Sequence, residues 1–505
     1  MSHTVKKLDQ DSAVANRAAH GAALDWLMGR INYERTAFIP YQERQLKLDR
    51  MRQLLTRLGQ PDAGMKIVHV AGTKGKGSTC AMIAGILTAA GFRTGLFSSP
   101  HLERIEERFA VDGQPCTAPE LVALVDRLRP VARAMDEEAA ADGDPTGGPT
   151  YFEVTTAMAL LHFVEHEVDA AMLEVGLGGR LDSTNVCLPA VSVITSISFD
   201  HMKQLGNTLA DIAREKAGII KPGVPVVCGV TEPEPQAVIA EIARDHGCRL
   251  IQLERDFTFT YQQAGSSPTP KANDKARMTN DEVRLSSSFV IRHSSFPTLD
   301  FAYSVPGQEH QLRAFHLGMR GPHQAANAAV ALATITELRH QGWCSSEDAI
   351  RAGLRYAALP GRVEVFPGEP VVVLDAAHNP ASAQALIAAL AEMPPAARRT
   401  LILSISHDKD VRAIVHELAP HFERFVVTEY QENPRAMPAQ LLAEIIRGEA
   451  PQAPAAAVTV CRTPADAWQH VLQSALPAEL LCITGSFYLA AEMRPLVLAK
   501  QCGTS

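Results

Sequence analysis

The chain has 505 residues, too many for one hydrophobic core, so length alone predicts roughly two to four domains. A net charge of −8 argues against nucleic acid or an anionic membrane as partner, and 46% apolar with 21% charged residues is an ordinary balance for a globular protein. No apolar run approaches the roughly 18–20 residues that span a bilayer, the N-terminal MSHTVKKLDQDSA lacks an apolar signal segment, and nine cysteines without a CxxC pair predict reduced thiols in a cytoplasmic protein rather than a cysteine zinc site.

Residues 20–59 read as two helices, the second carrying Leu48, Met51, Leu54, Leu55 and Leu58 at helical spacing and closed by Gly59 and Pro61. Between them, INYERTAFIPYQER is a loop with aromatics and arginines, a lid over a substrate or plain packing. Val68–Ala71 then predicts a buried parallel strand, Gly72-Thr73-Lys74-Gly75-Lys76-Gly77 a Gly-rich turn, and Ser78–Ala90 a helix stopped by Gly91. A strand feeding such a turn and a helix aims backbone N–H groups and the positive helix end at one spot, which favours an anion. The general phosphate-loop pattern wants Gly where Val70 stands and Ser or Thr directly after the Lys, whereas here Gly77 separates Lys76 from Ser78. The Gly75-Lys76 core remains, which assigns Lys76 to the β/γ-phosphates and Ser78 to Mg²⁺.

Arg93–Ser98 predicts a second strand, ending in Ser98-Ser99-Pro100-His101-Leu102. Thr117 and Glu120 have the spacing of a capping box and open a helix to about Glu137. An acidic loop (141–149) precedes a helix over Phe152–Phe163, a buried strand over Val168–Glu174, the Gly-rich turn GLGGRLDSTN, and a strand over Val191–Ser196 with Asp200 and His201 just beyond. Alternating strands and helices imply a parallel sheet whose ligands bind past the carboxyl ends of its strands. The loop, Glu174 and His201 all fall at such ends, so they converge although they are far apart in sequence. Serine hydroxyl, carboxylate and nucleotide phosphate suit Mg²⁺, while an imidazole is its less common ligand.

Thr208–Ile220 predicts a helix containing Lys216 among small apolar neighbours, either snorkelling at the surface or desolvated with altered chemistry. Residues 254–305 turn rich in Ser, Thr, Pro, Asn and Lys and read as an insertion with a hairpin and a disordered tip around 264–282, with Ser288–Ile291 one of its short apolar runs. An Ala-rich helix follows Gly318, with His323 and Asn327 one turn apart on one face, where capping and packing explain them as well as function does. After Pro360-Gly361-Arg362 the alternation restarts, with strands over Val371–Leu374, Thr400–Ile405, Arg424–Glu429, Ala457–Val460 and Leu480–Thr484. This is a second doubly wound domain without a GxGxxG. Asp375 and His378 at its first strand end suit a ribose or phosphate, or equally a helix N-cap plus a surface histidine.

In this order, GTKGKGS, SSPHL, Phe152-Glu153, EVGLGGRLDSTNV, DHMKQLGNTLADIAREKAGIIKPG, GPHQAANAA, LPGRVEV, DAAHNP and ITGSFYLA resemble the Mur ligase superfamily, and within it the folylpolyglutamate synthase/dihydrofolate synthase family. The resemblance covers about residues 20–495, apart from 138–149 and 254–305. It implies an α/β protein: an N-terminal Mur-type P-loop domain over 1–359, interrupted at 254–305, and a C-terminal Rossmann-like domain over 360–505, with ATP in the cleft. It further implies ATP-dependent addition of L-glutamate to a folate, or to dihydropteroate, through an acyl phosphate, by a cytoplasmic monomer with no nucleic-acid or membrane partner. By resemblance Gly72, Thr73, Lys74, Gly75, Lys76 and Gly77 hold phosphates, Ser78, Glu174 and His201 serve Mg²⁺, and Lys216 is the lysine that is carbamylated. Asn327, Arg362, Asp375 and His378 match nucleotide-contacting positions, and Ser99, Pro100, His101, Phe152 and Glu153 lie where pterin and substrate loops run.

The sequence departs from the family at Lys74, commonly Asn, and at Ser404–Asp410, commonly a Gly-Ala-Leu-Lys-Asp-type segment, which leaves Asp408 and Lys409 without a role. A Mur-type ligase of UDP-muramoyl peptides would need a further N-terminal domain of roughly 100 residues, and fewer precede the first strand. A nucleotide-binding protein without catalysis would not be expected to keep Lys76, Ser78, Glu174, His201 and Lys216 together.

Overall fold

The computed structural model describes residues 16–34, 48–144, 147–263, 297–449 and 457–501. Contact density divides the chain into two units, one of Met1–Thr258 with Ala302–His310 and Asn327–Leu354, the other of Phe259–Phe301 with Gln311–Ala326 and Arg355–Ser505.

The first unit is built on an eight-stranded sheet. Its strands are β1 (Lys66–Ala71), β2 (Thr94–Phe97), β3 (Phe109–Val111), β4 (Gln114–Pro115), β5 (Ala170–Glu174), β6 (Val191–Ile194), β7 (Val226–Cys228) and β8 (Leu250–Gln252), in the order β4-β3-β2-β5-β1-β6-β7-β8. The β2-β5-β1-β6-β7-β8 pairings are parallel, and β3 and β4 extend one edge antiparallel. Parallel strands covered on both faces read as continuous apolar runs; five of the six β1 residues and all of β5 are buried. The register sets Val70 beside both Glu174 and Val193, so the ends of β1, β5 and β6 are level. One core joins Ile67, Phe97 and Leu173 to Leu121, Leu124, Leu128, Val154 and Phe163, and another joins Ile194, Val226 and Cys228 to Ile212, Ala213 and Ile239.

A three-stranded sheet has the order β11-β10-β9, with β9 at Phe257–Gln262, β10 at Thr298–Tyr303 and β11 at His310–His316. The expected hairpin over 254–305 accounts for the first two strands; β11 was not foreseen. The expected disordered tip around 264–282, the run Ser288–Ile291 and most of the INYERTAFIPYQER loop lie outside the described residues.

The second unit carries β12 (Glu364–Phe366), β13 (Val371–Leu374), β14 (Arg398–Leu403), β15 (Arg424–Val427), β16 (Val458–Val460) and β17 (Glu479–Thr484) in the order β12-β13-β17-β14-β15-β16, parallel except for β12. Its Val411–Leu418 helix is amphipathic, burying Val411, Ile414, Val415 and Leu418, the stripe expected of a helix covering a sheet. Among the described residues no helix is long and apolar enough to cross a membrane.

Candidate active site

The Lys76–Ala89 helix begins two residues earlier than the sequence predicts, because Gly75 rather than Gly77 makes the left-handed turn, with φ +83°. Such a φ suits glycine, and a Cβ on Gly75 would also lie 2.1 Å from Asn327 Oδ1. A Cβ on Gly72 would lie 1.9 Å from Thr195 Oγ1. Both glycines are therefore fixed by close approach as well as by conformation. The helix start has no side-chain cap and no acidic residue in its first turn. Its leading N–H groups and the positive end of its dipole are thus left to an anion.

The loop is strapped to the residues that follow β6. Thr73 N donates to Ser196 O at 2.8 Å and Lys74 N to Ser196 Oγ at 3.0 Å. The Lys74 carbonyl accepts from Thr195 Oγ1 at 2.6 Å and from Ser196 Oγ at 3.0 Å, while Thr73 Oγ1 donates to Ser198 O at 3.2 Å. The hydroxyls of Thr195 and Ser196 are positioning groups that the sequence reading did not single out. Their roles depend on β1–β6 register, which spacing does not encode.

Gly72, Thr73 and Lys76 share one small cavity with Val175–Gly178, with Asp200 and His201, and with Lys216. Ser78 and Glu174 are buried and outside its lining. Glu174 Oε2 accepts from Ser99 N at 3.2 Å, and Glu174 and Lys76 both act on the buried Cys80 thiol, in opposite directions. The Gly-rich turn after β5 is braced by Asp182, which accepts from the Gly176, Leu177 and Thr184 amides. His201 has φ +49°, an exposed ring, and a backbone N–H donating to Asp200 Oδ1 at 2.9 Å.

Of the two readings open for Lys216, the buried one holds: the residue is 5% exposed and Nζ donates to the Gly72 carbonyl at 3.0 Å. Burial, and then repulsion from Lys76, bring its amine down to about 7. A lysine so placed presents a neutral amine to electrophiles near neutral pH. Lys74 is also lowered by burial, with Asp200 opposing.

On the substrate-loop side, His101 Nδ1 accepts from Arg108 Nε at 2.9 Å. Arg108, 1% exposed, also forms a two-pronged ion pair with Glu34 and lies over the Tyr151 ring. Nothing in the linear spacing announces this trio. Phe152 packs under Gly176, where a Cβ would be 2.5 Å from its ring. Glu153 is engaged internally, pairing with Arg50 Nε at 3.0 Å and closing a capping box with Thr150. Pro100 follows a cis peptide after Ser99 and is exposed.

In the second unit Asp375, at the end of β13, is buried and accepts from the Val363 and Ala377 amides, each at 2.8 Å. Burial raises its carboxyl while Arg362 pulls it down. The N-cap of the following Pro380–Leu390 helix is Asn379, so the N-cap reading of Asp375 is replaced by a loop clasp. His378 Nδ1 lies 2.9 Å from Ala376 O, and its ring and the Arg362 guanidinium both approach Phe487, at 5.7 and 4.8 Å. Phe487 belongs to this constellation although the sequence reading gave it no role. Asp408 pairs loosely with Arg435 at 3.7 Å.

A phosphate-type loop on a parallel sheet, followed by a second doubly wound unit, defines the Mur ligase class of ATP-dependent ligases. Residues 70–335 match the Mur ligase middle domain and residues 361–487 the Mur ligase glutamate ligase domain. The chain is 34% identical over 485 residues to a Bacillus subtilis dihydrofolate synthase/folylpolyglutamate synthase, covering 94% of this chain and 98% of that one, and 31% identical to an Escherichia coli counterpart over 91% and 93%. A structure of Mycobacterium tuberculosis folylpolyglutamate synthase complexed with ADP superposes with a TM-score of 0.79 at 30% identity, over 95% of this chain and 99% of that one. E. coli FolC in complex with DHPP and ADP superposes with a TM-score of 0.72 at 29% identity, over 95% and 98%. The chain belongs to the folylpolyglutamate synthase/dihydrofolate synthase family and is an ATP-dependent glutamate ligase of that family.

Proposed function

We propose that the enzyme adds L-glutamate to the side-chain carboxylate of a folate, and also to dihydropteroate, through an acyl phosphate. The observation that carries this reading is the meeting of Lys76 and the buried Lys216 on one Gly-rich loop, level with Glu174 at the neighbouring strand end. The substrate carboxylate attacks the γ-phosphorus of ATP and ADP leaves. The glutamate amine then attacks the acyl carbon and phosphate departs. Catalysis of this kind rests on positioning and on offsetting charge. Gly72–Gly77 and Lys76 do so for the phosphates, and the uncapped helix start supports that role.

The donor set fits magnesium: the Ser78 hydroxyl, the Glu174 carboxylate and His201 would hold it, and it would supply further neutralisation of phosphate charge. Lys216 is proposed to be carbamylated, since its lowered amine favours the neutral form that reacts with CO₂, and the carbamate would add anionic oxygens beside the loop. Asn327, Arg362, Asp375 and His378 are proposed nucleotide contacts, and Ser99, Pro100, His101 and Phe152 substrate contacts, with Glu153 holding the start of Phe152's helix. Residues 1–359, with the insertion 254–305, form the proposed ATP domain and 360–505 the glutamate-ligase domain. A monomer in the cytoplasm is the proposed working form.

The test is purified protein with ATP, Mg²⁺ and L-glutamate, offered tetrahydrofolate and dihydropteroate separately, with product masses read out. Each acceptor should gain one or more glutamyl residues. No gain on either would overturn the reading, and gain on only one would reduce it to a single activity.

A further inference from the structure

At the antiparallel edge of the first sheet, Cys116 follows β4, Glu120 sits in the first turn of the Ala118–Ala141 helix, and His162 and His166 stand one turn apart near the end of the Tyr151–Glu165 helix. Phe152, which packs beneath Gly176, begins that helix, so His162 lies about 15 Å further along it at 1.5 Å per residue. This group therefore plays no part in the site described above.

The donor atoms of Cys116, Glu120 and His162 lie within 4.8 Å of one another. Three hydrogen-bond facts then single out the cluster. Glu120 Oε2 is used by the capping box, accepting from Thr117 N at 2.7 Å and Thr117 Oγ1 at 2.6 Å, which leaves Oε1 free of that duty. His166 places Nδ1 2.9 Å from the His162 carbonyl, which leaves Nε2 for a second partner. That Nε2 faces Glu120 Oε1 at 3.0 Å. The proton this pair shares is one that a bound cation would displace. Finally, His162 is 2% exposed and its Nδ1 has no hydrogen-bond partner.

We propose that Cys116, Glu120, His162 and His166 form a binding site for a zinc-type divalent cation. Thiolate, two imidazoles and one carboxylate form a tetrahedral set suited to Zn²⁺ or Co²⁺ and poorly suited to Mg²⁺. Thiolate and carboxylate together balance a charge of +2. Four-coordinate zinc holds its ligands about 3.3–3.8 Å apart, from bonds of about 2.0–2.3 Å, so Cys116, Glu120 and His162, which lie within 4.8 Å of one another, must draw closer, and His166 must turn from its 3.0 Å contact with Glu120 to complete the set. Burial and then the Glu120 carboxylate hold the Cys116 thiol up at about 12, where it donates to Thr117 O at 3.4 Å. A bound cation reverses that preference and releases the proton. Burial lowers the His162 imidazole, which favours the neutral form a metal ion needs. The partly exposed Glu120 and His166 leave an entry path. The absence of a CxxC pair spoke against a cysteine zinc site, but a mixed set drawn from separate elements carries no such signature; its only linear trace is the His162–His166 spacing of four.

The test is Co²⁺ titration of metal-free full-length enzyme, reading the thiolate-to-Co²⁺ charge-transfer band. One Co²⁺ per chain should produce the band, Zn²⁺ should displace it, and Cys116→Ser should abolish it. His162→Gln and the more exposed H166Q should each weaken Co²⁺ binding at least tenfold, with ligase turnover showing that each variant is folded. No band with the wild-type enzyme, or a band that persists in Cys116→Ser, overturns the proposal. If Cys116→Ser does not fold, unchanged Co²⁺ affinity in H166Q overturns it and a tenfold loss supports it.

Discussion

At the end of β1 the chain turns through Gly72–Gly77, and nearly everything that fixes this turn is backbone or a short hydroxyl: Thr195, Ser196 and Thr73 tie carbonyls and amides together, and two glycines sit where a Cβ has no room. At the end of β13 the corresponding turn is fixed by one carboxylate, Asp375, clasping two amides, while longer side chains gather around Phe487. Both turns lie past strand ends of a parallel sheet, where such folds bind ligands. The first is a rigid cradle that presents N–H groups to charge; the second is a set of adaptable side chains. Substitutions should therefore be severe and abrupt in the first and graded in the second.

The sharpest test removes the charge the cradle carries. Lys76→Ala should lower glutamate-dependent ADP release on the order of 10³-fold with the circular dichroism spectrum unchanged, a scale typical of losing one charge-stabilising group. Turnover near the wild-type rate would sink the assignment of the loop to phosphate. Next in size is Gly75→Ala. A side chain at φ +83° facing Asn327 Oδ1 costs about 1–3 kcal/mol of backbone strain, besides the displacement of Asn327. Isothermal titration should show nucleotide affinity down about 10- to 100-fold, and an unaltered affinity would mean the cradle is not rigid.

This contrast also explains what could be read from the sequence. Parallel strands buried on both faces were visible as apolar runs, and the loop after β1 was visible because glycines and lysines at a strand-to-helix turn make poor packing material. The short antiparallel strands β3, β4 and β12 were not, since pieces such as Gln114–Pro115 are too short and too exposed to carry a pattern. Lys216 could be named but not explained until the structure buried it against Gly72 O. Thr195 and Ser196 act through register, and Arg108 joins His101, seven residues before it, to Glu34, 74 residues before it, so neither group leaves a local signal.

Lys216 gives a test by pH. Its amine, lowered to about 7, is protonated at pH 6 and neutral at pH 8. Only the neutral form takes up CO₂, so at fixed dissolved CO₂ turnover should rise about 5- to 10-fold across that interval, following the roughly 10% to 90% change in neutral amine. Lys216→Ala should lose activity, cease to respond to CO₂, and regain part of the rate with formate or acetate. A Lys216→Ala enzyme that still responds to CO₂ would show that the carbamate forms elsewhere or not at all.

The smallest effect is expected where the second turn is most adaptable. Arg362 spreads its guanidinium over Phe487 at 4.8 Å and lies close enough to Asp375 to lower its carboxyl against the effect of burial. Lysine keeps the charge but loses the planar stacking and the fork of donors, a difference of about 0.5–1 kcal/mol for an exposed cation–π contact. Arg362→Lys should therefore raise the KM for ATP about 2- to 5-fold and leave kcat nearly unchanged, because the charge that Asp375 requires is still present. Arg362→Gln removes that charge too, and its KM should rise further. If Arg362→Lys instead lowered kcat as much as Lys76→Ala, Arg362 would belong with the rigid cradle and the distinction between the two turns would fail.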